Sequence, residues 1–591
     1  MKINLLWAGV IFFLATNSYG DKAYGNPVNM AVMSSMKRIF PGSEISHNDN
    51  NLVELWSARN EYKTTQVAIS SRIPTLLNDV TCNDLVDMKT GKSISKDNFH
   101  YRFPANVYVR KNTSQTPIEE LDGIAPGYFP DPLEEDDSMQ VVGTRSLFLT
   151  WFIPHKTLPG DYKGQIVFSL DSKKYVIPVI IHVWNFALPD ASSLFVTNWL
   201  HVSQIESRFG VAVGSDDYWR IIENIAKDLS RHRQNVIYTP LSLVKSTEMP
   251  DGSYTFDFTD YERWVRIFSN NGVRIFEGSH LFNTSKSYRV FVSDGMARVP
   301  VAFDNAKLKS EAGKNFLKIF LGALHKENVS LGIEKNYIQH VWDEFDASQI
   351  NVYKEYSSIV KGAMPGVAII DAITVKRGEV EQYMDVPVTA LHKTLDDKTE
   401  NPNSRWGKWW YTSVVPKGLY PNRFIDFPLM KSRVIPWLSW RFGISGYLNY
   451  GYNWWYTPSG KSPWEDVEQA GNYPPGDGFI VYPPKGIQNR NIRSSLRWEA
   501  FRDGLQDYEY LRLMDQQLAS ISKNNNMEPK FIDLKNRMSA LNKKIISKID
   551  SLDKYPRDPR VYDSLRYEMG SVLSDINDYI LKNMTSKAIN Y

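Results

Sequence analysis

The sequence predicts a multidomain protein, an N-terminal β-sandwich followed by a (β/α)8 TIM-type barrel with a helical C-terminal extension. Three observations predict it. The chain has 591 residues, more than one ordinary domain holds. Residues 21–190 are a succession of short, β-branched, partly alternating runs separated by turns. From about residue 192, strand-like runs alternate with amphipathic stretches in about eight units, the rhythm of parallel strands with crossover helices. A doubly wound open sheet is the competing architecture, and no Gly-rich phosphate loop supports it.

In chain order, residues 1–20 read "MKINLLWAGVIFFLATNSYG": one Lys, a short apolar core, then small and polar residues. That is the pattern of a secretory signal peptide cut near residue 20. No later segment has the unbroken apolar length of a membrane span. The single cysteine, Cys82, leaves no disulfide within the chain, and no cysteine stands at the cleavage point to carry a lipid anchor. The expectation is a soluble exported protein, most simply periplasmic.

The sandwich, residues 21–190, is read from "TTQVAISS", "ANVYVR", "SLFLTWFIP", "GQIVFSL" and "KYVIPVIIHVWNF", with "LPDASS" as the linker that ends it. The barrel, residues 191–510, is read from eight runs: "SLFVTNWLH", "NVIYTPL", "VRIFEGSHLF", "YIQHVWDE", "GVAIIDAI", "VPVTALH", "WWYTSVV" and "GISGYLNYGY". Helical stretches such as "DYWRIIENIAKDLSRHR" and "LKSEAGKNFLKIFLGALHKENV" separate several of them. Residues 511–591 are read as further helices packed on the barrel.

Composition narrows the function. The net charge is only +3, with no long basic run and no basic–aromatic interleaving, so nucleic acid is not an expected partner. Aromatic residues make up 13% of the chain, including 17 Trp and 32 Tyr. Such a supply serves either stacking on sugar rings or aromatic packing of the core. The histidines show no i, i+4 pair and have no cysteine partner, which speaks against zinc, and no GxSxG elbow is present. No metal or cofactor is expected.

Barrels of this kind place their chemistry at the C-terminal ends of the strands. Those ends carry Asn198 and His201, Tyr238, Glu277 and His280, Asp343 and Glu344, Asp371, His392, Trp409 to Tyr411, and Tyr447, Asn449 and Tyr450 in turn. Carboxylates, imidazoles and aromatics converging there suit a carbohydrate better than a phosphate. A lone histidine such as His201, His280 or His392 is more often a hydrogen-bonded structural residue, and Trp410 is as readily core as sugar platform.

The doublet Asp343–Glu344 is the most informative pair. Like charges on neighbouring residues raise at least one pKa, which is what a general acid needs near neutral pH. Glycoside hydrolysis usually places two carboxyl groups on opposite sides of the scissile bond, and adjacent residues can hardly straddle a sugar. They fit a variant in which the substrate's own 2-acetamido group is the nucleophile. One carboxyl then protonates the leaving oxygen, and its neighbour holds the acetamido N–H while an oxazolinium forms. Against this, most Asp-Glu pairs are solvated loop or helix-start residues.

The segments "YIQHVWDEFDA", "GISGYLNYGYNWW", "GDGFIVYPP" and "SSLRWEAFRDGLQDYEYL" together resemble glycoside hydrolase family 123, the retaining β-N-acetylgalactosaminidases. "APGYFPDPL" and "WFIPHKTLPGDYKGQIVFSL" are similar to the β-sandwich that precedes the barrel in that family. The resemblance implies an exo-acting enzyme releasing terminal β-linked N-acetylgalactosamine from glycolipid or glycoprotein glycans. It implies Glu344 as general acid/base, Asp343 as the group that orients the acetamido, and Tyr447 as support for the acetamido carbonyl. By strand position, Asn198, His280, Trp410, Asn449 and Tyr450 are further substrate-binding candidates. An N-acetylglucosaminidase or other glycosidase on the same barrel, and a non-catalytic carbohydrate-binding protein, are the alternatives.

Overall fold

The structure is a computed structural model. It describes residues 28–45, 51–282, 289–293, 298–301, 305–396, 405–457, 459–468, 473–486, 491–522 and 528–589. The expected signal peptide, residues 1–20, lies outside the described residues.

The N-terminal part is sheet-rich. Ten strands form one hydrogen-bonded set. Its spine is the 22-residue strand Glu61–Cys82, which pairs antiparallel with Met139–Ile153 along most of its length. After register shifts it turns to Gly160–Leu170. These bulges bend the sheet, and side chains from seven or more strand segments, among them Val53, Ile69, Leu149, Trp151, Phe168 and Ile181, close on one shared core. The sequence expects a β-sandwich; the ten strands form one branched hydrogen-bonded set whose side chains share that core.

The second part is a nearly closed parallel barrel of eight strands. In chain order these are Phe195–Asn198, Val236–Thr239, Ile275–Gly278, Tyr337–Gln339, Ala368–Ala372, Val386–Ala390, Trp409–Tyr411 and Gly446–Asn449. Each falls inside one of the eight runs read from the sequence. Every strand after the second pairs with its predecessor, and the eighth pairs with the first. The seam lies between the first and second strands, where side chains replace the ladder. Val196 N donates to Asn235 Oδ1 at 2.9 Å, and Asn198 Nδ2 donates to Gln234 Oε1 at 2.8 Å.

Helices cover the outside unevenly. Asp216–Arg231 starts where the Ser215 side chain accepts from Tyr218 N, and Glu311–Ser330 where Ser310 accepts from Gly313 N, the usual way to satisfy free N–H groups at a helix start. Ile350–Ala363, Leu429–Arg441 and Leu496–Ser522 follow the fourth, seventh and eighth strands. After the fifth and sixth strands the described residues hold only short 3-10 turns, Arg377–Glu379 and Leu391–Asp396. The (β/α)8 reading expects a helix at both places.

A boundary at residue 510 would cut the continuous helix Leu496–Ser522. The last helix, Pro559–Ile589, lies on the N-terminal sheet as well as on the barrel's helices. Asn185 Nδ2 donates to Asp578 Oδ1 at 2.6 Å, and Trp184 packs against the backbone at Gly570. A buried ion network ties the parts together. Asp507 accepts from Arg433 Nε at 2.7 Å, Arg566 Nη1 at 2.7 Å and Trp437 Nε1 at 2.8 Å, while Arg566 also pairs with Glu61 of the long N-terminal strand. Removing one partner of such a network strands a buried charge, at a cost of roughly 3–5 kcal/mol.

Candidate active site

The fourth strand ends at Gln339, four residues before the carboxylate doublet. From there the chain enters a loop fixed by its neighbours. Gln339 Nε2 donates to Ser279 O at 2.9 Å, and Val341 N donates to both oxygens of Asp371 at 3.1 Å. Trp342 bridges to Phe282, and Glu344 N donates to Ala372 O at 3.1 Å. Glu344 itself has φ +46°, a left-handed conformation that costs a non-glycine residue about 1 kcal/mol or more. The strain is held by the third and fifth strands, and it turns both carboxylates into a cleft of about 880 Å³ at the strands' C-terminal ends.

The doublet meets little compensation. Asp343 is exposed to solvent at the cleft surface but surrounded by protein atoms on its other sides, and desolvation, then the charge of Glu344, pushes its carboxyl up to about 7. Glu344 Oε1 accepts from the Tyr411 hydroxyl at 2.5 Å. Burial and the Glu344 carboxylate both raise Tyr411, so its hydroxyl stays a donor. Asp343 and Glu344 are the only carboxylates, and no Lys or Arg occurs, among the described residues that line the cleft.

Directly beneath, two carboxylates share one cation and their remaining oxygens are met by hydrogen bonds. His340 is buried with Nε2 2.5 Å from Glu277 Oε1 and Nδ1 2.9 Å from Asp371 Oδ1. Burial alone would lower its pKa; the two carboxylates outweigh burial and hold it at about 10, so it is an imidazolium. Glu277 also accepts from Thr197 Oγ1 at 2.6 Å and from Trp199 Nε1 at 2.9 Å, and Asp371 accepts from the Tyr353 hydroxyl at 2.8 Å. His280, pushed well below its ordinary value by burial and by His340, is neutral and shares a hydrogen bond of 3.0 Å between its Nδ1 and the Tyr238 hydroxyl.

His280, His340 and Asp371 present ligand atoms within 4.8 Å of one another, the one such group among the described residues. They do not fit a metal. Both His340 nitrogens are engaged as donors to carboxylates, and a ligand imidazole must offer a free lone pair.

Of the residues expected from the sequence, Asp343, Glu344, His280 and Tyr450 line the cleft. Asn198, Trp410, Tyr447 and Asn449 do not. Asn198 belongs to the barrel seam, where its Oδ1 accepts from Arg423 Nη1 at 2.6 Å. Trp410 packs outward into the helical layer. Tyr447 bonds Thr412 at 2.6 Å and packs on Phe501, and Asn449 Nδ2 donates to Thr412 O at 2.7 Å. All four misplacements have one cause, the strand's period of two. Trp199, Tyr411, Leu448 and Tyr450 line the cleft, so each misplaced residue is one position out of phase. Counting alternate positions back from a cleft-facing residue would have exchanged Asn198 for Trp199 and Trp410 for Tyr411.

A family model described as the catalytic domain of glycoside hydrolase 123 matches residues 199–514. The chain belongs to glycoside hydrolase family 123. It is therefore a glycosidase, of the family whose motifs its sequence resembles. The structure of a family 123 glycoside hydrolase from Clostridium perfringens, reported with the details of glycolipid glycan hydrolysis, has the same fold. Its TM-score is 0.68 at 14% identity, over 95% of this chain and all of that one. A GH10 xylanase with a bacterial Ig-like domain from termite gut covers 78% of this chain and all of that one at 8% identity and TM-score 0.31. An endo-β-1,4-mannanase from Thermotoga petrophila covers 54% of this chain and 77% of that one at 12% identity and TM-score 0.30. Neither overlap is close enough to carry an argument about this family 123 enzyme. No curated protein matches the chain.

Proposed function

We propose that this family 123 enzyme is an exo-acting, retaining β-N-acetylgalactosaminidase working on a TIM-type barrel through the substrate's own 2-acetamido group. One observation carries the reading: the only carboxylates lining the described cleft are sequence neighbours. Two residues whose Cα atoms are about 3.8 Å apart on one loop approach a sugar from one side. Carboxyl pairs that flank a glycosidic bond need about 5–5.5 Å or 6.5–9.5 Å with the bond between them. The nucleophile must then come from the substrate.

The acetamido carbonyl oxygen bonds to C1 as the C1–O bond to the aglycone breaks. Glu344 gives its proton to the departing oxygen. The Asp343 carboxylate accepts the acetamido N–H and faces the positive charge of the oxazolinium. Water then adds to C1, the ring opens, and Glu344 recovers a proton from that water. The Asp343 carboxyl, pushed up to about 7 by desolvation and then by the Glu344 charge, holds a proton near neutrality. The N–H of a bound acetamido group favours ionised Asp343 and so moves that proton to Glu344, where the leaving oxygen needs it.

Glu344→Gln is expected to cut kcat by about 10²–10⁴ on a nitrophenyl β-N-acetylgalactosaminide, the usual worth of a general acid. The matching β-galactoside, which lacks the acetamido group, should be hydrolysed hardly at all. Near-normal turnover by the variant removes Glu344 from the acid role, and ready cleavage of the galactoside removes substrate assistance. Faster release from the N-acetylglucosaminide would keep the mechanism and reverse the sugar preference. Glycolipid oligosaccharides, the class hydrolysed by the Clostridium perfringens enzyme, are the natural substrates to try next. We read the enzyme as exported, most simply to a periplasm, so the mature protein should begin near residue 21.

A further inference from the structure

Beyond the eighth strand the chain runs along the rim of the cleft through residues 450–457, "YGYNWWYT". Three rings meet there around Trp454. Tyr450 lies 5.6 Å away at 67°, Tyr456 is stacked at 5.9 Å and 28°, and Tyr473 from the next segment lies at 6.2 Å and 37°. Tyr450, Trp454 and Tyr473 line the cleft. The rings grow more exposed outward: Trp454 is half-buried, Tyr473 is 36% exposed and Tyr456 is 52% exposed. A cluster of exposed aromatics contiguous with a cleft marks a binding surface, unlike single surface rings.

The backbone that carries the platform is tied down by its neighbours. The "GDG" run at residues 476–478 buttresses it. The Tyr450 hydroxyl donates to buried Asp477 Oδ2 at 2.7 Å, and Trp454 N donates to Gly478 O at 2.9 Å. Gly451 packs so closely on Gly478 that an added Cβ would come within 2.0 Å of the Gly478 carbonyl oxygen. Asn453 Oδ1 accepts from His201 N at 2.7 Å, and Trp455, fully buried, donates to Val481 O at 2.7 Å. A platform whose backbone is held this way loses less freedom on binding than a loose loop would.

We propose that Trp454, with Tyr473 and Tyr456, forms an aglycone platform that stacks on a neutral pyranose ring adjoining the cleaved bond. This rests on the exo-hydrolysis reading above. The terminal sugar occupies the closed end, among nearly inaccessible Trp199, Ser279 and Leu448, so the next ring lies toward the open rim. The platform offers flat uncharged faces beside the carboxylates Asp343 and Glu344, with Asp477 behind Tyr450. Lys309 is not among the lining residues of the cleft; its Nζ lies 5.1 Å from the centre of the Trp342 ring. A ring bearing a carboxylate or sulfate would meet like charge there, whereas the C–H face of a neutral sugar meets an aromatic face.

The test compares two substrates, a neutral tetrasaccharide ending in β-N-acetylgalactosamine and 2-acetamido-2-deoxy-β-galactosyl fluoride, whose leaving group reaches no platform. Trp454→Ala should lower the ratio of kcat/KM for tetrasaccharide over fluoride at least tenfold, mainly through KM, and Trp454→Phe should restore most of it. An equal fall on both substrates, or no fall, overturns the platform. Tyr456→Ala, at an exposed position, carries the same comparison if Trp454→Ala unfolds. Calorimetric binding to Glu344→Gln separates this proposal from the hydrolysis reading. If the wild type cleaves neither substrate, that reading fails while tetrasaccharide binding lost in Trp454→Ala still supports the platform. Binding that Trp454→Ala leaves unchanged, or no binding, overturns it. A tetrasaccharide with sialic acid on the second ring should bind at least tenfold more weakly; equal binding overturns the neutral class.

Discussion

Two pairs of carboxylates lie close in space at the third to fifth barrel strands, one pair on the third and fifth strands and the other on the loop after the fourth, and they are handled in opposite ways. Glu277 and Asp371 share the His340 imidazolium and receive Thr197, Trp199, Tyr353 and the Val341 N–H besides. Asp343 and Glu344 face each other's charge with one tyrosine hydroxyl on Glu344 and no cation lining their cleft. The lower pair is saturated and holds Trp199 and the loop after the fourth strand in place. The upper pair is left frustrated, with Asp343 driven up to about 7 and Glu344 in a left-handed backbone. A perturbed, poorly compensated pair in a cleft is the candidate for chemistry.

The largest effect should come from removing the frustrated charge. On the mechanism proposed above, Asp343→Asn is expected to cut kcat by about 10³, because the neutral amide cannot face an oxazolinium, and to remove the acid limb of kcat/KM near pH 7. It should also stabilise the fold. Asp343 holds its proton more tightly folded, at about 7, than unfolded, near 3.8. The wild type therefore loses stability as pH rises from about 4 to about 7, by an amount that solvent around the exposed carboxyl reduces, and the loss is complete above that. The variant's Tm should exceed the wild type's at pH 8, and the gap should close by pH 4. An unchanged Tm at pH 8 would mean that the pair is not frustrated.

His340→Gln attacks the saturated pair and should do the reverse. Two buried carboxylates lose their cation, at about 3–5 kcal/mol of stability, read as a large fall in Tm at pH 6. The folded pKa of His340, about 10, lies above the ordinary 6.5. Its stabilisation is complete below about pH 6.5 and is lost as pH rises through 10, so the gap between variant and wild type should narrow over that range. A variant as stable as wild type at pH 6 would leave the two pairs indistinguishable.

Tyr411→Phe is a smaller cut. It removes the donor on Glu344, a hydrogen bond to a charged group worth about 1.5–3 kcal/mol, part of which water regains in an open cleft. Turnover should fall about tenfold with Tm nearly unchanged, since Tyr411 lines the cleft and the loop's backbone ties remain. A fall as large as that of Glu344→Gln would give Tyr411 a share in proton transfer.

How much of this the sequence carried depended on periodicity. All eight barrel strands were legible because each is a short apolar run at the right spacing, and the doublet stood out because two carboxylates interrupt such a run. The phase within a strand was not legible. Trp409, Trp410 and Tyr411 are all aromatic, so nothing in the composition says which face the helices, and the packing partners of Trp410 lie in other elements. His340 reads as one polar residue in "YIQHVWDE"; its role depends on Glu277 and Asp371, 63 and 31 residues away. The antiparallel pair Lys245–Glu248 and Tyr254–Asp257 did leave a signal, the "PDGS" turn between them, which is a common hairpin sequence.

The smallest expected effect is none, and it sharpens the comparison from the other side. His280, His340 and Asp371 are close enough to suggest a metal. For His340 to ligate, it would have to give up one of the two carboxylates that hold it protonated at about 10, and the ion would have to displace that proton in a fully buried site. Chelator treatment should leave both turnover and Tm unchanged, and added zinc should not raise Tm. A fall of several degrees with chelator, restored by a divalent ion, would show that the lower pair is balanced by a metal instead of by His340. The same result would predict that His340→Gln loses its stability chiefly by losing the ion, so the two measurements check each other.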